Sequence, residues 1–187
     1  VDLSINSLYT LKKKRLPHTQ PLLSDIETLP FKKNSLDGII TSSVLQWFTD
    51  TPQIINSFSK RLKENGKFLF SVFTTDCFYE LSCLQQAFGI ETPVSLPKPA
   101  SFFNILNQNS LRLLEHEQYL KTLYFPSAMD LLRSLSAIGS TAIRGKRLSR
   151  NELTQFCKSY EKRFGSSEGI PLTYHALIGS AEKRSQR

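Results

Sequence analysis

Along most of the chain, apolar residues recur with either the strand period or the helix period, and the two periods alternate. The run at residues 36–40 is short, rich in isoleucine and leucine, and followed directly by Thr41, Ser42 and Ser43. Buried parallel strands have this composition, and open α/β sheets bind ligands at the carboxyl ends of such strands. The run fits either a strand that ends at a ligand site or an ordinary core strand followed by a serine-rich turn.

Apolar residues at helical spacing occupy the segments between the predicted strands. Ile5, Leu8 and Leu11 share one side of a first helix, which Ser4 can cap. We predict further helices over residues 52–64, 76–88, 101–108, 126–138 and 150–164. The predicted strands cover residues 21–24, 36–40, 67–73, 113–125 and 171–181. This alternation predicts an α/β fold with a mainly parallel sheet.

Length and composition narrow the class of protein. The 187 residues suit one domain, and the apolar content of 40% includes no run as long as a membrane span. Cys77, Cys83 and Cys157 lack CxxC spacing, so we interpret them as reduced thiols of a cytoplasmic protein. The three histidines are scattered, and we expect no metal site.

The net charge of +8 makes an acidic partner plausible, although a basic surface can also serve solubility alone. The sequence has no basic, aromatic-rich motif of the RNA-binding type, so we do not expect a nucleic acid as partner.

Two acidic residues are predicted to follow successive short strands. Asp2 and Asp25 occupy these positions, where carboxylate oxygens can accept hydrogen bonds from ribose hydroxyls. Helix capping or turn formation would explain the same two residues equally simply.

The first 75 residues resemble class I S-adenosylmethionine-dependent methyltransferases. Val1-Asp2-Leu3-Ser4 with Leu8 is similar to their second-strand motif, and Asp25-Ile26-Glu27 with Leu29-Pro30-Phe31 to their adenine-side motif. The similarity continues through Ser35-Leu36-Asp37, Leu45-Gln46-Trp47 and residues 62–67. It implies a Rossmann-like sheet, mostly parallel with an antiparallel last strand. It also implies S-adenosylmethionine as methyl donor, bound by Asp2, Leu3, Asp25, Ile26 and Ser42.

The second half resembles the malonyl-acyl-carrier-protein O-methyltransferases of biotin synthesis. The matching segments are Leu131-Leu132-Arg133-Ser134-Leu135, Ala137-Ile138-Gly139, and Pro171-Leu172-Thr173-Tyr174-His175 with Gly179. The resemblance implies methylation of the free carboxylate of malonyl-acyl carrier protein or malonyl-coenzyme A. Residues 93–109 depart from the family pattern, so no substrate contact is assigned there.

The family's glycine-rich loop has no counterpart, because none of the 8 glycines lies in a GxGxxG or GxGxG pattern. We therefore expect this sequence to lack its natural N-terminus, with the first strand and helix of the fold. The expectation is one truncated methyltransferase domain over residues 1–187, with substrate-side helical insertions at 76–110 and 126–165.

The implied reaction needs no catalytic base, because a carboxylate is already ionised at neutral pH. Arg133 is the candidate ligand for the substrate carboxylate, since arginine pairs bidentately with carboxylates; a solvated arginine is the alternative. Trp47 is a candidate for the pocket wall, and Tyr174 is a candidate for a hydrogen bond to the substrate; each could instead be a core residue. Arg144, Lys146 and Arg147 are the candidate docking site for an acidic carrier protein, in preference to the basic cluster at residues 12–15.

Two other functions remain open on sequence alone. One is methylation of a different small carboxylate such as trans-aconitate, because Leu45-Gln46-Trp47 also resembles that class of methyltransferase. The other is a truncated, non-catalytic module that binds an acidic partner.

Overall fold

Helices and strands alternate through the computed structural model, which describes residues 1–48, 50–91, 96–137, 144–145 and 148–185. The helices are α1 (Ile5–Lys13), α2 (Thr51–Arg61), α3 (Tyr79–Phe88), α4 (Pro99–Gln108), α5 (Ala128–Ala137) and α6 (Arg150–Phe164). The strands are β1 (Leu36–Ser42), β2 (Leu62–Phe73), β3 (Ile90–Glu91), β4 (Leu111–Phe125), β5 (Arg144–Gly145) and β6 (Ile170–Lys183). A short 3-10 helix, Leu45–Trp47, follows β1.

The main sheet has the strand order β1-β2-β6-β4. β1 pairs parallel with β2, whereas β6 pairs antiparallel with both β2 and β4. β1, β2 and β4 therefore run in one direction and the last strand, β6, runs in the other. This arrangement confirms the predicted α/β class and its antiparallel last strand.

Two apolar cores stabilise the sheet, and β6 contributes to both. Leu177 and Ala181 pack with side chains of α2 and α4, whereas Ile170 and Leu172 pack with side chains of α3, α5 and α6. Side chains point alternately to the two faces of a sheet along a strand. Leu177 and Ala181 have odd numbers and Ile170 and Leu172 have even numbers, so the two cores lie on opposite faces of the sheet. Each fully buried leucine or phenylalanine side chain contributes about 1.5–3 kcal/mol.

Capping side chains mark where several helices begin. Asp50 Oδ1 accepts a hydrogen bond from the Gln53 N–H at 2.9 Å ahead of α2, which carries proline in its first turn. At α6, Ser149 Oγ accepts from the Glu152 N–H, and the Glu152 carboxylate accepts from the Ser149 N–H. Ser149-Arg150-Asn151-Glu152, whose spacing of serine and glutamate is that of a capping box, therefore forms one.

The boundary between α2 and β2 differs from the prediction. The expected helix end at Asn65 and Gly66 is wrong, because α2 ends at Arg61 and β2 starts at Leu62. Leu62 is fully buried and pairs with Leu36, and the register then shifts before Gly38. Pairing with β1 outweighs the local turn signal, and Asn65 adopts a positive φ of 60° within the strand.

The predicted strand at residues 21–24 is reduced to a single parallel bridge between Asp2 and Leu23. The Asp2 N–H donates to the Leu22 carbonyl at 3.1 Å, and the Ser24 N–H donates to the Asp2 carbonyl at 3.2 Å.

Within the described ranges, no helix has both the length and the apolar character needed to cross a bilayer.

Candidate active site

A crevice runs along β1. It encloses about 310 Å³ and is lined by most of β1, from Leu36 to Ser42, together with Val1, Ile26, Leu29, Phe31, Val44 and Phe58. A second cavity of about 220 Å³ is lined by Val1, Asp2, Leu3, Ser24, Ile26, Val44 and Phe48. Since Val1, Ile26 and Val44 line both cavities, we treat the two as one crevice and name it the β1 crevice.

The crevice brings together four of the five residues predicted to bind the cofactor. Asp2, Leu3 and Ile26 line its smaller part, and Ser42 lines its larger part. Asp25 does not line either part; its Oδ1 accepts a hydrogen bond from the Glu27 N–H at 2.9 Å. That contact is the turn-forming role that the sequence left open for Asp25.

The two carboxylate oxygens of Asp2 differ in their hydrogen bonding. Its Oδ1 accepts from the Ser4 N–H at 2.7 Å, just ahead of α1, where Ser4 Oγ in turn accepts from the Ser7 N–H. For Oδ2, the described part of the chain supplies no donor within hydrogen-bonding distance. An exposed carboxylate oxygen at this edge can accept hydrogen bonds from ligand hydroxyls.

At the carboxyl end of β1, two neighbouring hydroxyls differ in their partners. Ser42 Oγ lies 3.2 Å from Ser71 Oγ on β2. Thr41 is only 5% exposed, and its Oγ1 has no hydrogen-bond partner among the residues that the structure describes. A buried hydroxyl without a partner is costly, and Thr41 lines the crevice, so a polar ligand atom would satisfy it.

The three residues predicted to contact substrate lie outside the lining of the β1 crevice. Trp47 is 47% exposed, which is inconsistent with simple core packing. The Arg133 side chain is 73% exposed and its Nη1 lies 3.1 Å from Asp130 Oδ1, which is the solvated position that the sequence left open for it. Tyr174 is half-buried against the rings of Phe73 and Phe78, and burial raises the pKa of its phenol.

A polar cluster that sequence reasoning missed lies where β2 ends beside β6. His175 Nδ1 lies 2.5 Å from Thr74 Oγ1 and 3.4 Å from Asp76 Oδ2. Nearby, buried Glu80 accepts hydrogen bonds from the N–H and the hydroxyl of Thr173. Thr74 and His175 are 101 residues apart in sequence, so no spacing rule identifies them. The sequence feature that pointed to this cluster was the Thr173-Tyr174-His175 motif.

Burial also excludes one candidate nucleophile at this position. It raises the pKa of the Cys77 thiol to about 11, so Cys77 is protonated near neutral pH. In the described ranges, no group of three or more histidine, cysteine, aspartate or glutamate side chains is placed to hold a metal ion.

The predicted carrier-docking residues are only partly covered by the structure. Arg144 belongs to β5, whose backbone pairs with β3, and nothing further is described for its side chain. Lys146 and Arg147 lie outside the described residues.

Comparison with known proteins identifies the family. A family model described as "Methyltransferase domain" matches residues 1–70. The malonyl-[acyl-carrier protein] O-methyltransferase of Priestia megaterium is 30% identical over 203 residues, covering 100% of this chain and 74% of that protein. The mitochondrial arginine-hydroxylase NDUFAF5 of Danio rerio is 26% identical over 187 residues, covering 94% of this chain and 58% of that protein.

Solved structures agree on the fold. A putative methyltransferase from Bacillus halodurans superposes with a TM-score of 0.70 at 14% identity, covering 98% of this chain and 81% of that one. Against several curated relatives the chain spans about three fifths of their length, for example 58% and 62%. On the strength of the sequence match to the Priestia megaterium enzyme, supported by the shared fold, the chain belongs to the class I S-adenosylmethionine-dependent methyltransferases.

Proposed function

We propose that this chain acts as a methyltransferase that esterifies the free carboxylate of a malonyl thioester, early in biotin synthesis. The observation that carries the proposal is the β1 crevice, where Asp2, Leu3 and Ile26 meet Ser42. The similarity of this whole chain to 74% of a malonyl-[acyl-carrier protein] O-methyltransferase directs the choice of substrate. A cytoplasmic location and a malonyl-acyl carrier protein or malonyl-coenzyme A partner belong to the same proposal.

The β1 crevice suits the adenosine half of S-adenosylmethionine. Ile26 and Val44 offer apolar walls to a purine, and Asp2 Oδ2 is available to ribose hydroxyls. Thr41 Oγ1, buried without a protein partner, would gain one from the ligand. Asp25 would act only on the adenine side, by fixing the turn that positions Ile26. The methionine half is assigned no contacts, since no glycine-rich loop occurs in this sequence.

When bound, S-adenosylmethionine supplies an electrophilic methyl group, which an attacking carboxylate oxygen takes as the carbon–sulfur bond breaks. The residues of the chain have three tasks: to hold the cofactor, to orient the carboxylate, and to exclude water. Orientation of this kind is a large part of the acceleration in a displacement between two bound reactants. No side chain needs to remove a proton, because the malonyl carboxylate is already ionised near neutral pH.

Arg133 remains our proposed ligand for the malonyl carboxylate. Its guanidinium is held by Asp130 at 3.1 Å and is otherwise open to solvent. A substrate carboxylate would compete for it with a bidentate pair, which is stronger than a single exposed contact. We assign Trp47 to the wall of the substrate pocket and the Tyr174 hydroxyl to a hydrogen bond with the substrate. Residues 76–110 and 126–165 remain the proposed substrate-side helical segments of one domain.

The experiment compares acceptors in the full-length protein that contains this chain. Transfer of a labelled methyl group from S-adenosylmethionine is measured to malonyl-coenzyme A, to trans-aconitate and to acetyl-coenzyme A, which lacks the free carboxylate. We expect a base-labile methyl ester on malonyl-coenzyme A and none on acetyl-coenzyme A. Preferential labelling of trans-aconitate would replace the malonyl assignment with another small carboxylate. Cofactor binding without transfer to any acceptor would favour a non-catalytic module.

A further inference from the structure

A further cavity, at the other end of β1 from Ser42, is lined by three lysines. It has a volume of about 310 Å³ and is lined by Lys33, Asn34, Lys60, Glu64 and Lys183. These residues lie where β1 and β2 begin and where the antiparallel β6 ends. The cavity is therefore at the opposite end of β1 from Ser42, at a distance of roughly 20 Å along the strand. We name it the lysine pocket.

Lys183 is the unusual member of the pocket, because its side chain is buried. The residue is 8% exposed, and its ammonium donates to Asn34 Oδ1 at 2.8 Å and to the Leu62 carbonyl at 2.7 Å. Both acceptors are neutral. No carboxylate lies within ion-pairing distance of Lys183 in the ranges that the structure describes, and a buried ammonium without an anion is unfavourable.

The other two lysines add further positive charge to the pocket. For Lys33 and Lys60, too, the described residues supply no ion-pair partner. Glu64 is the single carboxylate of the lining. The carboxyl end of α2 adds about half a negative charge. Three ammonium groups therefore exceed the available negative charge, so the pocket is cationic overall.

Capping of α2 does not account for the whole arrangement. The last carbonyls of that helix already accept backbone hydrogen bonds: the Asn34 N–H donates to Lys60 at 3.0 Å, and the Ser35 N–H to Arg61 at 2.9 Å. Asn34 adopts a positive φ of 51° in this turn. Because its Oδ1 faces the Lys183 ammonium, its amide nitrogen presents two further donors.

From these observations we infer that the lysine pocket binds a small phosphate-type anion. The lining offers ammonium groups and an amide, all hydrogen-bond donors, and lysine is a common point-charge ligand for phosphate. A phosphate placed among Lys33, Lys60 and Lys183 would supply the missing negative charge beside the buried ammonium. The site is separate from the proposed methyl-transfer chemistry and does not depend on it.

The test is calorimetric titration of the full-length protein with inorganic phosphate, at ionic strength held constant with chloride. The double variant Lys33→Gln with Lys60→Gln removes two exposed lysines and leaves buried Lys183 in place, so the fold is retained. We expect it to weaken phosphate binding by at least about tenfold. The charge-matched control, Lys14→Gln with Lys32→Gln, removes two exposed lysines that do not line the pocket and should bind phosphate like the parent.

A parallel titration with glycerol phosphate, which carries no adenosine for the β1 crevice, distinguishes the source of the phosphate group. Tighter binding of glycerol phosphate than of inorganic phosphate would indicate a phosphate monoester as ligand. Equal or weaker binding of glycerol phosphate would indicate free phosphate. Equal loss of affinity in the control and in the pocket variant would attribute binding to general surface charge and overturn the site. Failure of the parent protein to bind either compound would overturn it as well.

Discussion

At the level of single residues, the polar groups of the β1 crevice divide into those satisfied by the protein and those left for a ligand. Asp2 uses Oδ1 to hold the turn into α1 and keeps Oδ2 for another donor. Thr41 Oγ1 is buried and lacks a partner in the described part of the chain. A buried hydroxyl without a partner is unfavourable, so a ligand atom that pairs with Thr41 Oγ1 would recover this cost, whereas the exposed Asp2 Oδ2 is simply open to a ligand.

Arg133 provides the first prediction. In the full-length protein, Arg133→Ala should slow malonyl-thioester turnover by the equivalent of about 1.5–3 kcal/mol while S-adenosylmethionine binding stays nearly unchanged. Asp130→Asn is the matched control, because it removes the partner of Arg133 but keeps the guanidinium. We expect Asp130→Asn to retain turnover. Similar losses in both variants would mean that Arg133 matters only through its pair with Asp130.

Glu182 provides a prediction about pH. Its carboxylate accepts from Lys67 Nζ and from Arg112 Nη2, both at 2.6 Å. The hydrogen bond from Lys67, followed in size of effect by that from Arg112, holds the pKa of Glu182 below its ordinary range. A carboxyl whose pKa is lower in the folded than in the unfolded protein stabilises the fold fully at pH values above its unfolded-state pKa. This stabilisation is lost as the pH falls through the folded-state pKa.

Glu182→Gln should therefore lower the free energy of unfolding near neutral pH and lose that effect in acid, below about pH 4. Urea unfolding of parent and variant at neutral and acidic pH measures the difference. Glu117→Gln on β4 serves as control, since Glu117 is exposed and forms no ion pair in the described ranges. If the difference in unfolding free energy between the parent and Glu182→Gln were the same in acid as at neutral pH, ionisation of Glu182 would not be its cause.

At the level of elements, sequence patterns predicted those helices and strands whose local signals agree with their packing. The start of α6 follows from its capping box and from the apolar face that includes Phe156 and Tyr160. The start of β2 was not predictable in this way, because Asn65 and Gly66 read locally as a turn. Only the pairing of Leu62 with Leu36 on β1 makes that segment a strand.

The capping box gives a prediction for α6. Ser149→Ala removes the acceptor for the Glu152 N–H and should lower the free energy of unfolding by about 0.5–2 kcal/mol. Thermal or urea denaturation measures this, with Ser167→Ala in an exposed turn as the control for the same change of side chain. No difference between the two variants would show that the box is unimportant for stability.

At the level of the whole molecule, residues far apart in sequence assemble both the proposed cofactor site and the polar cluster at His175. Family motifs were enough to predict Asp2, Leu3, Ile26 and Ser42 around one crevice. They did not predict the contact between Thr74 and His175, because β6 is antiparallel and brings its first half back to the end of β2. The sequence left open whether Arg133 is solvated, since a helical wheel does not show which flank of a helix faces solvent.

The docking proposal is tested by charge reversal. Arg144→Glu with Arg147→Glu should slow turnover of malonyl-acyl carrier protein at low salt and spare malonyl-coenzyme A, because such charges act mainly on encounter with the acidic carrier. Lys12→Glu with Lys13→Glu at the end of α1 is the matched control and should have little effect. Equal loss on both substrates would mean that residues 144–147 support the fold or the pocket instead.

The most direct test of the account is whether S-adenosylmethionine binds in the β1 crevice. Calorimetric titration of the full-length protein should give one site, and Asp2→Ala should weaken it by about tenfold or more. Asp37→Ala is the matched control, because Asp37 is an exposed aspartate on β1 that pairs with Lys63 at 2.7 Å and does not line the crevice. We predict that the control binds like the parent. Unchanged affinity in Asp2→Ala, or equal weakening in both variants, would contradict the assignment of the crevice.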